Sequence, residues 1–589
     1  MAKTNRKDRT KKKQSQTKDS GGENFQWRNA IILTAIAIYI LVLFSPAIKY
    51  DFTNWDDPDY IISNELIRDF SLEGMAKIFT TPVIGMYNPL PFAVYSFVYH
   101  FWELNPQAYH LLSIILHILA TIMLYKFIFR LTGRYEVATI VAILFAIHPM
   151  HVSVVTWACQ IKTSLFLIFF FYGQSLYLDY IHNNYRIKFL VYAALLFILA
   201  CLSKPSAVTF APILFLVDYY LSRKIDKRLF LEKIPFFLIA LGFGILTLMT
   251  HSDEGDSIFE VGQNYSLFDN FLVSNYSIVF YFEKFIYPRE LSTIYGYPDS
   301  STTLPLKYFL AIPVIPLIIW GVYRAGKFRK ELIFGTLFFI IAISVLLRIV
   351  PSGFFGTANR YTYLSYTGLF FIMGQFYVYV KDDKFSYAGK IKNYVIGAML
   401  AFIVFCTWRT TIRIKVWENS ITLFNDVIDK QPNVAVAYNQ RAIAKNSIGD
   451  NVGALEDLTK AIELDPKYAA AYNNRGSLRD LLKNYEPALE DFNKAIEIEP
   501  DYFDAYSNRG AAKFHLDRIA DALADYDSSI QINDGRGLTF FNRAVAKISL
   551  ADTLGAVADW RRAIELGVDQ ARQYLILYDK KQDMEVDEM

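Results

Sequence analysis

Cysteine is scarce in this chain: three in 589 residues, Cys159, Cys201 and Cys406, each in or beside an apolar run. That excludes a disulfide framework as the source of its stability. A cleavable leader is also missing. No small-residue cleavage site follows the first apolar run, Ala30–Ile48, which therefore reads as a retained anchor. Nor is there the basic surplus of a nucleic-acid binder, because the net charge is only +3 and the Lys/Arg excess lies in short loops between apolar runs.

What the chain does have is hydrophobicity, at 53% of residues, and a sharp division of charge. From Val416 to the end there are 20 Lys/Arg and 30 Asp/Glu, a net of −10, which leaves +13 on the first 415 residues. A basic, apolar part and an acidic, soluble part are different domains. The boundaries expected are a basic tail at 1–29, a membrane domain at 30–415, a repeat array at 416–568, and a capping helix with an acidic tail at 569–589.

The run Ala30–Ile48 is long enough to cross a bilayer. Nine Lys/Arg precede its core against three acids, which keeps the N-terminus in the cytoplasm. Further apolar runs fall near 108–130, 136–150, 161–180, 188–203, 206–221, 233–250, 270–288, 308–323, 331–349, 361–380 and 392–409. The loops 130–134, 182–188, 223–233, 324–330 and 381–392 are basic and belong in the cytoplasm. That assignment holds only if 270–288, which contains Glu283 and Lys284 and ends at Pro288, is an interfacial helix within an outer loop at 251–307. About eleven spans result, with the C-terminal part outside.

The outer loops then share a set of polar groups. Asn54-Trp55-Asp56-Asp57-Pro58 brings two adjacent carboxylates; Tyr87-Asn88-Pro89, His148-Pro149-Met150-His151, Lys162, Ser203-Lys204-Pro205 and Asn359-Arg360-Tyr361 bring the rest. Ionisable groups at membrane depth are costly, and those retained usually line a site or pathway. Acids from one loop and bases from others suit an anionic, lipid-linked ligand meeting a carboxylate base. The alternatives are an Asp-Pro turn and, for Lys162 and Arg360, snorkelling from helix ends. His148 and His151 at i, i+3 lack a third ligand in the same run, so no metal is expected.

In the acidic part, Arg441, Arg475, Arg509 and Arg543 recur every 34 residues. Tyr438, Tyr472, Tyr506 and Phe540 keep the same register, as do Ala454, Ala488, Ala522 and Ala556. Period 34 with small residues at helix crossings is the tetratricopeptide (TPR) pattern. Ile428 and Pro432 extend the register backwards, so 416–433 reads as a lone second helix and a short, stiff junction. Gln440, Asn474, Asn508 and Asn542 share one position of the first helix in each repeat. A primary amide both donates and accepts, so these four either pair with the backbone of an extended peptide or bond within the solenoid.

Together these motifs resemble the TMTC family, transmembrane and TPR repeat-containing protein O-mannosyltransferases, on the GT-C membrane glycosyltransferase fold. The matching stretches are Trp55-Asp56-Asp57-Pro58, Tyr87-Asn88-Pro89-Leu90, His110-Leu111-Leu112 with His117, His148-Pro149-Met150-His151-Val152, Leu202-Ser203-Lys204-Pro205, Arg360-Tyr361-Thr362-Tyr363-Leu364 and the repeats. The chain departs from many relatives at Asn88, at Ser153 and at Gln160-Ile161-Lys162-Thr163-Ser164, all donor-side positions.

The resemblance implies an all-α, polytopic enzyme with a TPR solenoid. It implies inverting transfer of a sugar, possibly mannose, from a polyprenyl-phosphate donor to Ser or Thr of extracytoplasmic proteins, with no metal cofactor. Asp56 would be the base, and Asp57 would orient the acceptor or share the proton. Arg360, Lys204, Lys162, His148 and His151 would take the donor phosphate. The alternatives are transfer to a lipid or glycan, and a non-catalytic membrane-anchored scaffold. A bacterial inner membrane is the expected location, with the repeats in the periplasm.

Overall fold

The computed structural model describes residues 27–83, 85–251, 266–296, 304–347, 355–382, 384 and 388–578. The chain divides into two compact units, Met1–Leu423 and Phe424–Met589. Most of the basic tail and the acidic tail, with Asn264 of one Asn-x-Ser triplet, lie outside the described residues.

The regular structure of the first unit's described residues is helical apart from a short antiparallel contact between Tyr295–Gly296 and Phe355–Thr357 and an isolated bridge between Val83 and Met86. Six of its described helices are long and apolar enough to cross a membrane: Trp27–Lys49, Pro106–Thr132, Ala158–His182, Lys227–Thr250, Leu306–Arg324 and Gly389–Lys415. A bent pair, Tyr135–Ile147 with Pro149–Thr156, makes a seventh, its halves 56° apart. The eleven expected crossings are therefore not eleven full-length helices. Pro149 and Pro205 explain much of this, since proline has no N–H to give the ladder and clashes with the preceding turn. Pro205 ends Ile187–Ser203 and leaves Lys204 extended, at φ −160° and ψ 128°. Thr362–Lys381 is long enough, but it carries Thr362, Ser365, Thr367 and Gln375 and is buried inside the unit.

Two features hold the helices that carry site residues. Gly335 and Gly368 let Arg329–Ser344 touch Thr362–Lys381: a Cβ on Gly368 would lie 2.2 Å from the Gly335 carbonyl oxygen. At the end expected in the cytoplasm, Asp218, Arg223, Glu232 and Lys233 form a buried four-charge group around the Tyr177 hydroxyl. Arg223 and Lys233 are thus ion-paired, although counting loop charges treats them as free.

The helix Leu267–Ile286 covers the segment expected to be interfacial. It exposes Leu267, Phe268, Phe271 and Ile286 along one side, while its other side joins the bundle. Its Tyr281 hydroxyl accepts from the Ala358 N–H at 3.1 Å, and its Tyr281 carbonyl accepts from the Tyr366 hydroxyl at 2.6 Å. Asn275 is buried in this helix, so the triplet Asn275-Tyr276-Ser277 is closed to glycan attachment.

The second unit is a TPR solenoid. Its helix pairs are Ala435–Ser447 with Asn451–Leu464, Ala469–Leu481 with Tyr485–Ile498, Phe503–His515 with Ile519–Ile532, and Gly537–Ser549 with Thr553–Glu565. A last helix runs through 571–578. Ala454, Ala488, Ala522 and Ala556 are fully buried at the crossings. The periodic arginines have a structural task. Arg441, Arg475, Arg509 and Arg543 each fork onto an aspartate 16 positions on (Asp457, Asp491, Asp525 and Asp559), with Nη2 at 2.6–2.7 Å and Nε at 2.8–3.0 Å. A second cation, Lys445, Arg479, Lys513 or Lys547, reaches the same carboxylate at 2.8 Å.

Such forks tie the two helices of one repeat together. Arg509→Ala would leave the buried Asp525 with Lys513 alone. The expected cost is about 2 kcal/mol, the order of a buried acceptor losing its partner. Limited proteolysis of the intact chain checks it: cleavage within 503–532 should quicken by about thirtyfold if it follows the open population. Unchanged cleavage would contradict the clamp.

Candidate active site

The two acids differ in their surroundings. Pro58 opens a wide turn, Pro58–Ile62, closed by the Ser63 N–H donating to the Pro58 carbonyl at 2.8 Å. Asp57 stands just before it and is buried. One of its oxygens accepts from the Thr53 N–H at 2.8 Å and the Thr53 hydroxyl at 2.9 Å; the other accepts from the Cys159 N–H at 2.9 Å. Burial pushes this carboxyl up to about 6, against the pull of those hydrogen bonds. Asp57 therefore locks the acid loop onto the turn after the His-Pro bend.

Asp56 is only half-buried, and one of its oxygens lies 4.0 Å from the Cys159 Sγ. Burial raises its pKa, and Lys162 and Arg360 draw it back down. Of the pair, Asp56 is the carboxylate with room to accept a proton from another molecule.

The cations converge from three elements. Lys162, at the start of Ile161–His182, places its Nζ 3.8 Å from the centre of the Tyr60 ring. Tyr60 in turn stacks on Phe92 at 5.5 Å. Arg360 stands over Trp157 and Tyr361, its guanidinium carbon 5.5 and 5.4 Å from the ring centres. The Lys204 Nζ donates to the Thr163 hydroxyl at 2.9 Å, one turn into the helix that bears Lys162. Burial, and then the neighbouring Lys162 and Arg360, push the Lys204 ammonium well below its ordinary range. Lys162 and Arg360 act on the Asp56 carboxylate, and Lys204 lies near both, so the group is a basic cluster of the kind that suits an anion.

Asn88 precedes the helix Pro89–Trp102, which backs this group. Tyr95 of that helix donates its hydroxyl to the Ala158 carbonyl at 3.2 Å. The Asn88 side chain is buried, and its Oδ1 has no hydrogen-bond partner.

The histidines are placed otherwise than expected. His148 donates from Nε2 to the Phe285 carbonyl at 3.2 Å and accepts from the Met150 N–H at 3.4 Å. His151 Nδ1 binds the Phe145 carbonyl at 2.8 Å. Both are buried among Phe285, Tyr363, Tyr366 and Phe370. Both ring nitrogens of His148 are taken up by backbone, which leaves it none for a phosphate and makes it a brace for the bend at Pro149, whereas His151 keeps a buried Nε2 without a hydrogen-bond partner among the described residues.

Within the array, the amides share themselves between both alternatives. Asn474 Nδ2 donates to Asn439 Oδ1 at 2.9 Å, and Asn508 Nδ2 donates to Asn473 Oδ1 at 2.9 Å, linking successive repeats. The Oδ1 atoms of Asn474 and Asn508 make no hydrogen bond among the described residues. Asn542 has no such link; the equivalent acceptor position holds Ser507, which receives the Thr539 hydroxyl at 3.1 Å.

Missed by motif reading were Thr53 and the Cys159 N–H, because a backbone donor leaves no trace in sequence. The aspartates 16 positions after each periodic arginine were legible as a spacing.

Comparison with known proteins bears on the family and the repeats. The tetratricopeptide repeat model matches residues 469–502. A protein O-mannosyl-transferase of Caenorhabditis elegans is 22% identical over 460 residues, 74% of this chain and 61% of that protein. The chain thus spans about three fifths of the curated relative it matches, and the TMTC-like resemblance extends well beyond the repeats. Among solved structures, the crystal structure of MamA is 24% identical, covering 26% of this chain and 90% of its own, with a TM-score of 0.24. The first TPR of Spaghetti (RPAP3) bound to the HSP90 peptide SRMEEVD is 26% identical, covering 20% and 96%, with a TM-score of 0.20.

Proposed function

We propose that this membrane protein is a glycosyltransferase that moves a sugar, mannose by analogy with its relative, from a polyprenyl phosphate to a Ser or Thr hydroxyl. The observation that carries the proposal is Asp56: a half-buried carboxylate between Lys162 and Arg360, on a loop locked by Asp57. A serine hydroxyl is a weak nucleophile. Asp56 takes its proton as the oxygen bonds to the anomeric carbon, which then stands inverted. The bond from that carbon to the phosphate oxygen breaks, and the polyprenyl phosphate leaves with its charge held by Arg360, Lys162 and Lys204.

The loop charges support an orientation with the N-terminus in the cytoplasm and the acid loop and repeats on the opposite face, and the membrane proposed is a bacterial inner membrane. Burial of Asn275 removes one reason for preferring the endoplasmic reticulum. In the array, Oδ1 of Asn474, Asn508 and Asn542, with Gln440, would accept from the backbone N–H groups of an extended acceptor. One observation favours a second reading. Because the Nδ2 groups of Asn474 and Asn508 are spent between repeats, the array suits a partner-recruiting role, with sugar passing to a lipid or glycan.

The deciding experiment incubates the purified chain with a panel of polyprenyl-phosphate sugars and either Ser/Thr peptides or lipid and glycan acceptors. Glycopeptide with inverted anomeric configuration is expected. Product on lipid or glycan alone selects the second reading, and no product on any acceptor leaves the scaffold.

The rate should also fall as pH drops through about 6. A proton on Asp57 cancels the charge that two N–H groups and a hydroxyl point at, and a proton on Asp56 removes the base. Stability moves the other way. The folded carboxyl of Asp57 binds a proton more readily than the unfolded one, so acidification from about 6 toward its ordinary value favours the folded state. A rate flat down to pH 5 would contradict this account.

A further inference from the structure

The acid loop is held at three places, and Asp57 supplies only one of them. The Asp51 N–H donates to the Glu418 carbonyl at 3.2 Å, and the Asn54 N–H donates to the Ser420 hydroxyl at 2.9 Å. Both acceptors belong to the short stretch that follows the helix Ala388–Lys415 and opens Ser420–Lys430. That stretch is itself firmly set. Trp417 is fully buried, its ring 5.3 Å from that of Trp157, two residues before the Cys159 that anchors Asp57. The Trp417 N–H donates to the Ile414 carbonyl at 3.0 Å, carrying the helix turn onward. Asn419 and Thr422 cap each other: the Thr422 N–H donates to Asn419 Oδ1 at 3.0 Å, and the Asn419 N–H donates to Thr422 Oγ1 at 3.2 Å. The Thr422 hydroxyl also lies 3.2 Å from the Val416 carbonyl.

We infer that Ser420 is a positioning residue for Asp56, and that the segment 417–420 is part of the frame that sets the base. This rests on the proposed transfer reaction. Asn54 is two positions before Asp56, and a backbone held at 51, 54 and 57 leaves the carboxylate little freedom between Lys162 and Arg360. Ser420 touches no reacting group, so it acts through the loop. Losing one anchor shifts the base by a fraction of an ångström to an ångström, which impairs the chemical step while substrate binding stands.

The test compares wild type, Ser420→Ala and Ser420→Thr as intact chains, with two readouts. Hydrogen–deuterium exchange over residues 50–60 should quicken roughly tenfold at the Asn54 amide in Ser420→Ala and return in Ser420→Thr, which keeps the hydroxyl. With mannosyl polyprenyl phosphate and a Ser/Thr peptide, kcat should fall roughly 10- to 100-fold in Ser420→Ala with KM unchanged, and recover in Ser420→Thr. Unchanged exchange overturns the inference, as does quickened exchange with unchanged kcat. A rise in KM alone also overturns it. If the wild type transfers sugar to no acceptor, the reaction proposed above falls, and exchange at Asn54 still decides whether the segment holds the loop.

Discussion

Asp56→Asn should lower the transfer rate by about 10²–10⁴-fold, the usual worth of a positioned general base. The amide has nearly the shape of the carboxylate, so the loop anchors through Asp51, Asn54 and Asp57 remain in place. Only proton acceptance is lost. The measurement is initial rate under saturating donor, with the folded state checked by helicity and by unchanged exchange over 50–60. Asp57→Asn should behave differently. Its oxygens face three donors, so an amide NH₂ there meets another donor and the loop loosens. A variant at 57 should therefore disturb exchange as well as rate. A near wild-type rate for Asp56→Asn would remove that residue from the mechanism and return the outer loop to an Asp-Pro turn.

Arg360→Ala is the second large effect, expected at about 10²–10³-fold in kcat, in line with removing one group that meets developing charge. Arg360 has the plane of its guanidinium near Trp157 and Tyr361, which suits a fixed fork toward a phosphate. Arg360→Lys keeps the charge and loses the plane, so it should restore only a small part of the rate. The same pair of variants separates chemistry from snorkelling. A residue that merely reaches for the membrane surface would tolerate Lys with full activity, and that outcome would withdraw Arg360 from the site.

The parts of this molecule that sequence revealed are those with periodicity or proline. The 34-residue register located the solenoid, and the His-Pro and Lys-Pro breaks marked where apolar runs stop. What escaped were pairings made through space. His148 and His151 lie beside a proline at a membrane edge and carry chemistry in principle, yet both ring systems hold backbone carbonyls. Their burial depends on Phe285 and Tyr366, more than a hundred positions away. The inner face of Leu267–Ile286 was equally hidden: Ser274 and Tyr281 bond to Leu347 and Ala358, more than seventy positions away. Asp57 was expected to orient the acceptor or share the proton, whereas its two oxygens are engaged by the Thr53 and Cys159 donors.

The arginine–aspartate clamps alter what a partner meets on the repeats. Each clamp sets two cations against a single anion, so the four together hide eight bases and four acids from the tally of 20 and 30. From Val416 to the end, twelve bases against twenty-six acids stand outside them, six of those acids in the tail at 569–589, a sharper imbalance than composition alone conveys. In solution the array is thus a polyanion with a cationic skeleton. It repels acidic chains at long range, draws basic ones, and loses that discrimination as added salt shortens the reach of its field.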